Sequence, residues 1–201
     1  AEAMLEVARR RAGERGVTNV EFTRLDLEWI DLETATVAAV LVRWGIMLIV
    51  DPEAAAREVR RVLRPGGTAA FAVWDIPERN PWATIPTRAM IELGHLQPPD
   101  REAPGMFTLA GDGRLQDLLE GAGFADVTVR PVALERQYAA VDGFLQETLD
   151  MSPVFGAKYR ELSAEQQSEL TASVLAGAQP YVAGDGSVML PGSSLVASAA
   201  A

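Results

Sequence analysis

The sequence predicts an α/β protein built on one open, mostly parallel sheet with an antiparallel edge strand. Two unbroken apolar runs, Val37 to Val42 and Thr68 to Trp74, have the composition of strands covered on both faces, as strands of parallel sheets are. Between them lies a helix with clear punctuation. Asp51 is placed to cap it, Pro52 stands at its first position, and Ala55, Val59, Val62 and Leu63 share one face. Pro65-Gly66-Gly67 then stops it. Strand, helix and strand with short connections form a crossover unit, and such units are right-handed almost without exception.

The remaining elements follow in order. In Ala1 to Arg15 the apolar positions Met4, Leu5, Ala8 and Ala12 keep helical spacing, and Gly16 is placed to close the helix in a left-handed cap. Val20 to Leu25 reads as a short strand. Leu115, Leu118, Leu119 and Ala122 form another helical stripe, closed by Gly123, and Asp126 to Val132 alternates like an exposed antiparallel strand. Within the later residues, Val141 to Leu149 reads as helix and a further helix begins at Ser163, with Gln166 completing a capping box. Ser194 to Ala199 is expected to be the last strand. The stretches 75–113 and 133–185 are richer in proline, glycine and polar residues than the sheet segments, and are expected to cover a substrate. This divides the chain into a sheet core (1–132 and 186–201), an inserted cover segment (75–113) and a helical cover insertion (133–185). No internal repeat is visible, and the one low-complexity stretch is the small-residue tail Ala197 to Ala201.

Composition narrows the function classes. At 201 residues and 48% hydrophobic composition, the chain can bury one sizeable core. A net charge of −10 opposes a nucleic-acid partner, whose affinity would come from neutralising phosphates, and favours a small-molecule substrate. No apolar run is long enough to span a membrane and Ala1 to Arg15 is charged throughout, so neither a membrane partner nor a secretory signal is expected, and a cytoplasmic location is. With no cysteine and a single histidine, His95, a metal site is not expected.

Several of these segments resemble a known family. Asp51-Pro52-Glu53, then Glu58-Val59-Arg60-Arg61-Val62-Leu63-Arg64-Pro65-Gly66-Gly67, is similar to the segment joining the fourth and fifth strands of class I S-adenosylmethionine-dependent methyltransferases of the ubiquinone and menaquinone biosynthesis type. Leu118 to Phe124, followed by Asp126-Val127, resembles that family's helix leading into its sixth strand. The resemblance runs from about Met4 to Val132 and includes the final strand. It implies a Rossmann-like methyltransferase sheet, S-adenosylmethionine as cofactor, and ligand binding across the carboxyl ends of the strands. It also implies roles. Asp26 matches the acidic position that accepts from the adenine amino group, Leu27 the residue whose N–H lies beside that ring, and Met4 an apolar residue near the ribose and adenine. Arg43, Trp44 and Gly45 follow the fourth strand, where the family's chain passes the methionine part of the cofactor. Each has a structural alternative: Asp26 as a turn cap, Met4 as a core methionine, and Arg43 as a partner in an internal salt bridge.

Departures from the family are equally informative. Where many relatives carry histidines, this chain has Ile46-Met47-Leu48, so no general base is visible there. By the resemblance, the family's first strand, its glycine-rich cofactor loop and the acidic residue for the ribose hydroxyls would all precede Ala1. The natural protein is therefore expected to be longer, and this chain to be inactive without that part. His95 in the cover segment is a candidate base, against the alternative of a solvent-exposed loop histidine. Trp29, Trp44, Trp74, Trp82, Phe107 and Phe155 are candidates to line an acceptor pocket, with Trp74 the first to be assigned to the core instead. The function expected is methyl transfer to a small-molecule acceptor by in-line displacement. Two alternatives stand beside it. A nicotinamide-dependent dehydrogenase shares the plan but lacks support, since no Tyr-x-x-x-Lys pair occurs in the expected place. A catalytically idle scaffold for dimerisation or ligand binding is the other, and an exposed sheet edge leaves room for a homodimer.

Overall fold

The computed structural model describes residues 2–100, 103–111 and 113–201. Helix α1 (Glu2–Glu14) buries none of its residues. It ends as its sequence dictates: Gly16 takes φ +64° and the Val17 N–H bonds back to the Ala12 carbonyl at 2.9 Å. The strand expected at Val20 to Leu25 does not form. That segment has no regular secondary structure, and Val17, Val20 and Leu25 are exposed. Extended backbone becomes a strand only when a neighbour takes its N–H and C=O groups, and no described strand lies beside it.

The sheet has four strands in the order β1-β2-β4-β3. β1 (Val37–Arg43) pairs parallel with β2 (Leu63–Trp74), and α2 (Pro52–Val62) is the crossover between them. The Asp51 carboxylate caps α2 by accepting the Ala54 N–H at 2.7 Å, and α2 buries Ala55, Ala56, Val59 and Val62. The chain enters β2 directly from the helix, and the Pro-Gly-Gly sequence is an irregularity at the start of the strand, where the ladder shifts register. Gly66 there has φ +76°. A side chain on Gly67 would bring its Cβ to 2.9 Å from the Arg64 carbonyl oxygen and 3.0 Å from that of Ala38, so only glycine fits.

β3 (Ala125–Tyr138) forms the far edge and pairs antiparallel with β4 (Val188–Ala200), which also runs antiparallel to β2. The expected edge strand is therefore present, but the reversed strand is β4, inside the sheet. β3 and β4 both outrun their sequence signals because they pair along each other from Ala125↔Ala200 to Tyr138↔Val188. The β2 ladder stops at Trp74↔Ser194. Residues 189–193 thus keep one side free of β2, which is why Pro191, lacking an N–H, is accommodated there.

Two apolar clusters result. The sheet cluster gathers α2, α4 (Arg114–Gly121) and the strands around Phe71, Val73, Leu119 and Ala197. The second joins α3 (Pro81–Glu92), α5 (Val141–Met151), α6 (Pro153–Glu161) and α7 (Ala164–Ala178) to the start of β4. The Ser163–Gln166 capping box at α7 is formed in both directions. One expectation fails in the sheet: β1 is not covered on both faces. Only Val42 is buried, and Leu41 is 81% exposed. β1 is an edge with no described strand beyond it.

Candidate functional site

At the carboxyl end of β1 the chain turns sharply through Trp44, whose φ of +52° is unusual for a bulky residue, into Gly45 and a short 3-10 turn (Ile46–Leu48). Beside this turn lies an open cleft of about 610 Å³ lined by Arg24, Leu25, Asp26, Leu27, Gly45 and Ile49. Three of the residues singled out in the sequence, Asp26, Leu27 and Gly45, therefore meet in one place. One Asp26 carboxylate oxygen accepts the Glu28 N–H at 3.0 Å, so Asp26 does cap its own turn and keeps a second oxygen for another donor.

The loop carrying Asp26 is fastened to α2 by Glu58 and Arg61, which the sequence marked only as part of the family-like segment. The Glu58 carboxylate accepts the Ile30 N–H at 2.9 Å and pairs with Arg61 at 2.7 Å. Arg61 in turn donates to the carbonyls of Ile30 at 2.7 Å and Leu32 at 2.8 Å. Glu28 accepts the Asp51 N–H, tying the loop to the start of α2. Arg61 holds the Glu58 carboxyl below its ordinary range; burial opposes this and the Ile30 N–H adds to it.

The internal salt bridge considered for Arg43 does not form among the described residues. Arg43 is exposed and lies over the Trp44 ring at 5.1 Å. Trp44 stacks on Trp74 with centroids 4.6 Å apart and planes 5° from parallel, and its indole N–H donates to the Ser194 hydroxyl at 2.9 Å. Trp74, buried as expected, meets Trp82 edge-to-face at 4.7 Å, and the Arg136 guanidinium covers Trp82 at 3.8 Å. A row of three indoles bounded by two guanidinium groups thus crosses the carboxyl ends of β1 and β2. Arg136 also pairs with Glu147 at 2.7 Å. Burial and Glu147 push the neighbouring Tyr138 hydroxyl up to about 12, so it stays protonated at neutral pH.

Below the row is a buried polar cluster of Asp75, Asn80, Ser193 and Ser194. Asp75 accepts from the Ser193 hydroxyl and from Arg79, each at 2.8 Å, and from the Ile76 N–H at 2.8 Å. Burial pushes its carboxyl up, but these donors outweigh it and leave the group below its ordinary range.

The other candidates lie elsewhere. Met4 is 73% exposed on α1 and is not part of the cleft lining. His95 follows the far end of α3, about 18 Å along the helix from its start near Trp82 at 1.5 Å per residue. It is not the solvent-exposed loop histidine of the alternative reading, since its Nε2 is enclosed and has no hydrogen-bond partner among the described residues. Phe155 belongs to the second cluster, Phe107 packs against the sheet cluster, and Trp29 is 77% exposed beside Asp26. No group of three or more potential metal ligands occurs among the described residues, and no described helix is long and apolar enough to cross a membrane.

Residues 1–71, which contain the cleft loop, β1, α2 and most of β2, match the methyltransferase-domain family. The chain has the Rossmann-like methyltransferase fold, and the YcgJ protein from Bacillus subtilis superposes with a TM-score of 0.60 at 17% identity, over 100% of this chain and 79% of that one. The [4+2]-cyclase SpnF has the same fold (TM-score 0.51, 14% identity, 99% of this chain and 64% of that one). Likeness at such identities defines the fold alone. In sequence the chain is similar to the ubiquinone/menaquinone biosynthesis C-methyltransferase UbiE of Methylobacterium nodulans, with 31% identity over 138 residues. The match takes in 64% of this chain and 55% of that relative, so it spans about half the relative's length.

Proposed function

We propose that this chain forms part of an S-adenosylmethionine-dependent methyltransferase acting on a small-molecule acceptor. The observation that carries the reading is the meeting of Asp26, Leu27 and Gly45 in one cleft at the carboxyl end of β1. The lining suits an adenosyl group: a carboxylate with an oxygen to spare accepts from an exocyclic amine, and Leu25, Leu27 and Ile49 offer apolar walls to a purine. Arg43, without an ion pair among the described residues and beside the same turn, suits the carboxylate of the cofactor's methionine part. The bound cofactor supplies a methyl group already activated by its sulfonium.

The protein's task is then to hold donor and acceptor in line. Such positioning can lower a barrier by roughly 7–11 kcal/mol without any acid or base. Glu58 and Arg61 serve it by fixing the Asp26 loop, and Ser194 and Trp74 by fixing Trp44. The segments 75–113 and 133–185, with helices α3 and α5 to α7, act as the cover over the acceptor. The net charge of −10 favours a neutral or cationic acceptor over a polyanionic one. His95 does not line the cleft, and no role as a base is assigned to it.

The test is calorimetric titration of S-adenosylhomocysteine into the full-length protein and its Asp26→Ala variant. Micromolar binding that weakens about tenfold in the variant, a change of about 1.4 kcal/mol, supports the reading. A full-length protein that does not bind the ligand sinks it.

A further inference from the structure

We infer that Asn80 is a positioning residue that couples the helices around α3 to the cleft through Trp82, Trp74 and Trp44. The inference rests on the reading of the cleft as the cofactor site. Asn80 is fully buried and uses both ends of its amide. The NH2 group donates to the carbonyls of Asp75 at 3.0 Å, Ile76 at 3.1 Å and Ser193 at 3.1 Å, while Oδ1 accepts from the Ser193 N–H at 3.1 Å and the Trp82 indole N–H at 3.0 Å. Three carbonyls on one side and two N–H groups on the other admit a single orientation of the amide. The same side chain thus anchors the chain entering α3 to β4 and sets the angle of Trp82.

Trp82 occupies a place no other described residue shares: it packs against both apolar clusters. It lies against Gly192 of β4, where an added Cβ would stand 3.2 Å from the indole nitrogen. From Trp82 the contact passes edge-to-face to Trp74 and by parallel stacking to Trp44. Trp44 holds a left-handed backbone, and the next residue, Gly45, lines the cleft. A conformation so disfavoured for a tryptophan persists only where its surroundings hold it. The stack on Trp74 and the bond to Ser194, next to the Ser193 that Asn80 grips, are those surroundings. A change in how α3 sits therefore reaches the wall of the cleft through rigid, contiguous contacts.

The test uses variants that keep all four tryptophans. Asn80→Asp preserves shape but turns the donating end against three carbonyls, and Gly192→Ala displaces Trp82 by crowding it. Near-ultraviolet circular dichroism reads the couplet of the Trp44–Trp74 stack, titration reads S-adenosylhomocysteine affinity, and far-ultraviolet dichroism checks that the variant is folded. Both variants are expected to weaken the couplet and raise the dissociation constant several-fold, whereas Gly67→Ala, at the opposite end of β2 from Trp74, lowers Tm and leaves both readouts alone. If Asn80→Asp does not fold, Gly192→Ala decides. The inference is overturned by a folded variant that keeps either the wild-type couplet or the wild-type affinity, or by Gly67→Ala moving both. A wild-type protein that binds no ligand ends the cofactor reading instead, and the couplet still reports whether Asn80 controls Trp44.

Discussion

Residues 2–50 and the strands that follow them are covered very differently. In the first part α1 buries nothing, and Leu41 and Val50 are more than four-fifths exposed. In the second, Phe71, Val73, Leu119 and Ala197 are sealed, and β3 and β4 pair along nearly their full length. The cleft lies in the loosely covered part: Asp26 and Arg43 are exposed, and Leu27 and Trp44 pack against the sheet cluster only from partly buried positions. Stability and binding are carried by different regions, and substitutions should separate them.

The largest effect is expected at Phe71→Ala, which empties a fully buried site beside Phe124 and should cost about 3–5 kcal/mol in denaturant unfolding. Gly67→Ala comes next, at about 1–3 kcal/mol, because the new Cβ meets two backbone carbonyls and must push β1 from β2. A loss below about 0.5 kcal/mol would show that the β1–β2 junction is as loose as the rest of the first part. Glu58→Gln should cost about 1–2 kcal/mol by breaking the Arg61 pair. Acid should act likewise. The folded Glu58 carboxyl is held below its unfolded value, so its contribution is complete at neutral pH and fades as pH falls through the folded value. Thermal melts of wild type should drop more steeply below the ordinary carboxylate range than those of Glu58→Gln. The smallest effect belongs to Leu41→Asp, within about 0.5 kcal/mol, since that side chain is exposed. A loss of several kcal/mol there would mean that something covers the face of β1, and the contrast between the two parts would fall.

Much of the fold was legible because its signals are local. Asp51 with Pro52, Ser163 with Gln166, and Gly16 after α1 each act within a few residues, and all three perform as their chemistry requires. What depends on distant partners was not legible. Val20 to Leu25 has strand composition but no described neighbour, and β4 has its reversed direction and interior place only through β2 and β3. The same holds at the site. Asp26, Leu27 and Gly45, which the family pattern marks, line one cleft. Glu58, Arg61 and Asn80 act through hydrogen bonds to backbone 28 to 113 residues away, as Ile30 and Ser193 illustrate, and no spacing rule marks such pairs. The sequence offered one usable hint: an Asn-Pro-Trp run after a buried strand places a helix start and a large ring together.

β4 lies between β2 and β3, yet it is made after both. At synthesis rates of about 5–20 residues per second, β2 leaves the ribosome on the order of ten seconds before its partner exists. Until then Thr68 to Trp74 presents an apolar, alanine-rich edge to the cell. Assembly of the sheet therefore waits on the synthesis of β4, and a ribosome stalled before Val188 would hold out a strand ready to pair with whatever chain comes next.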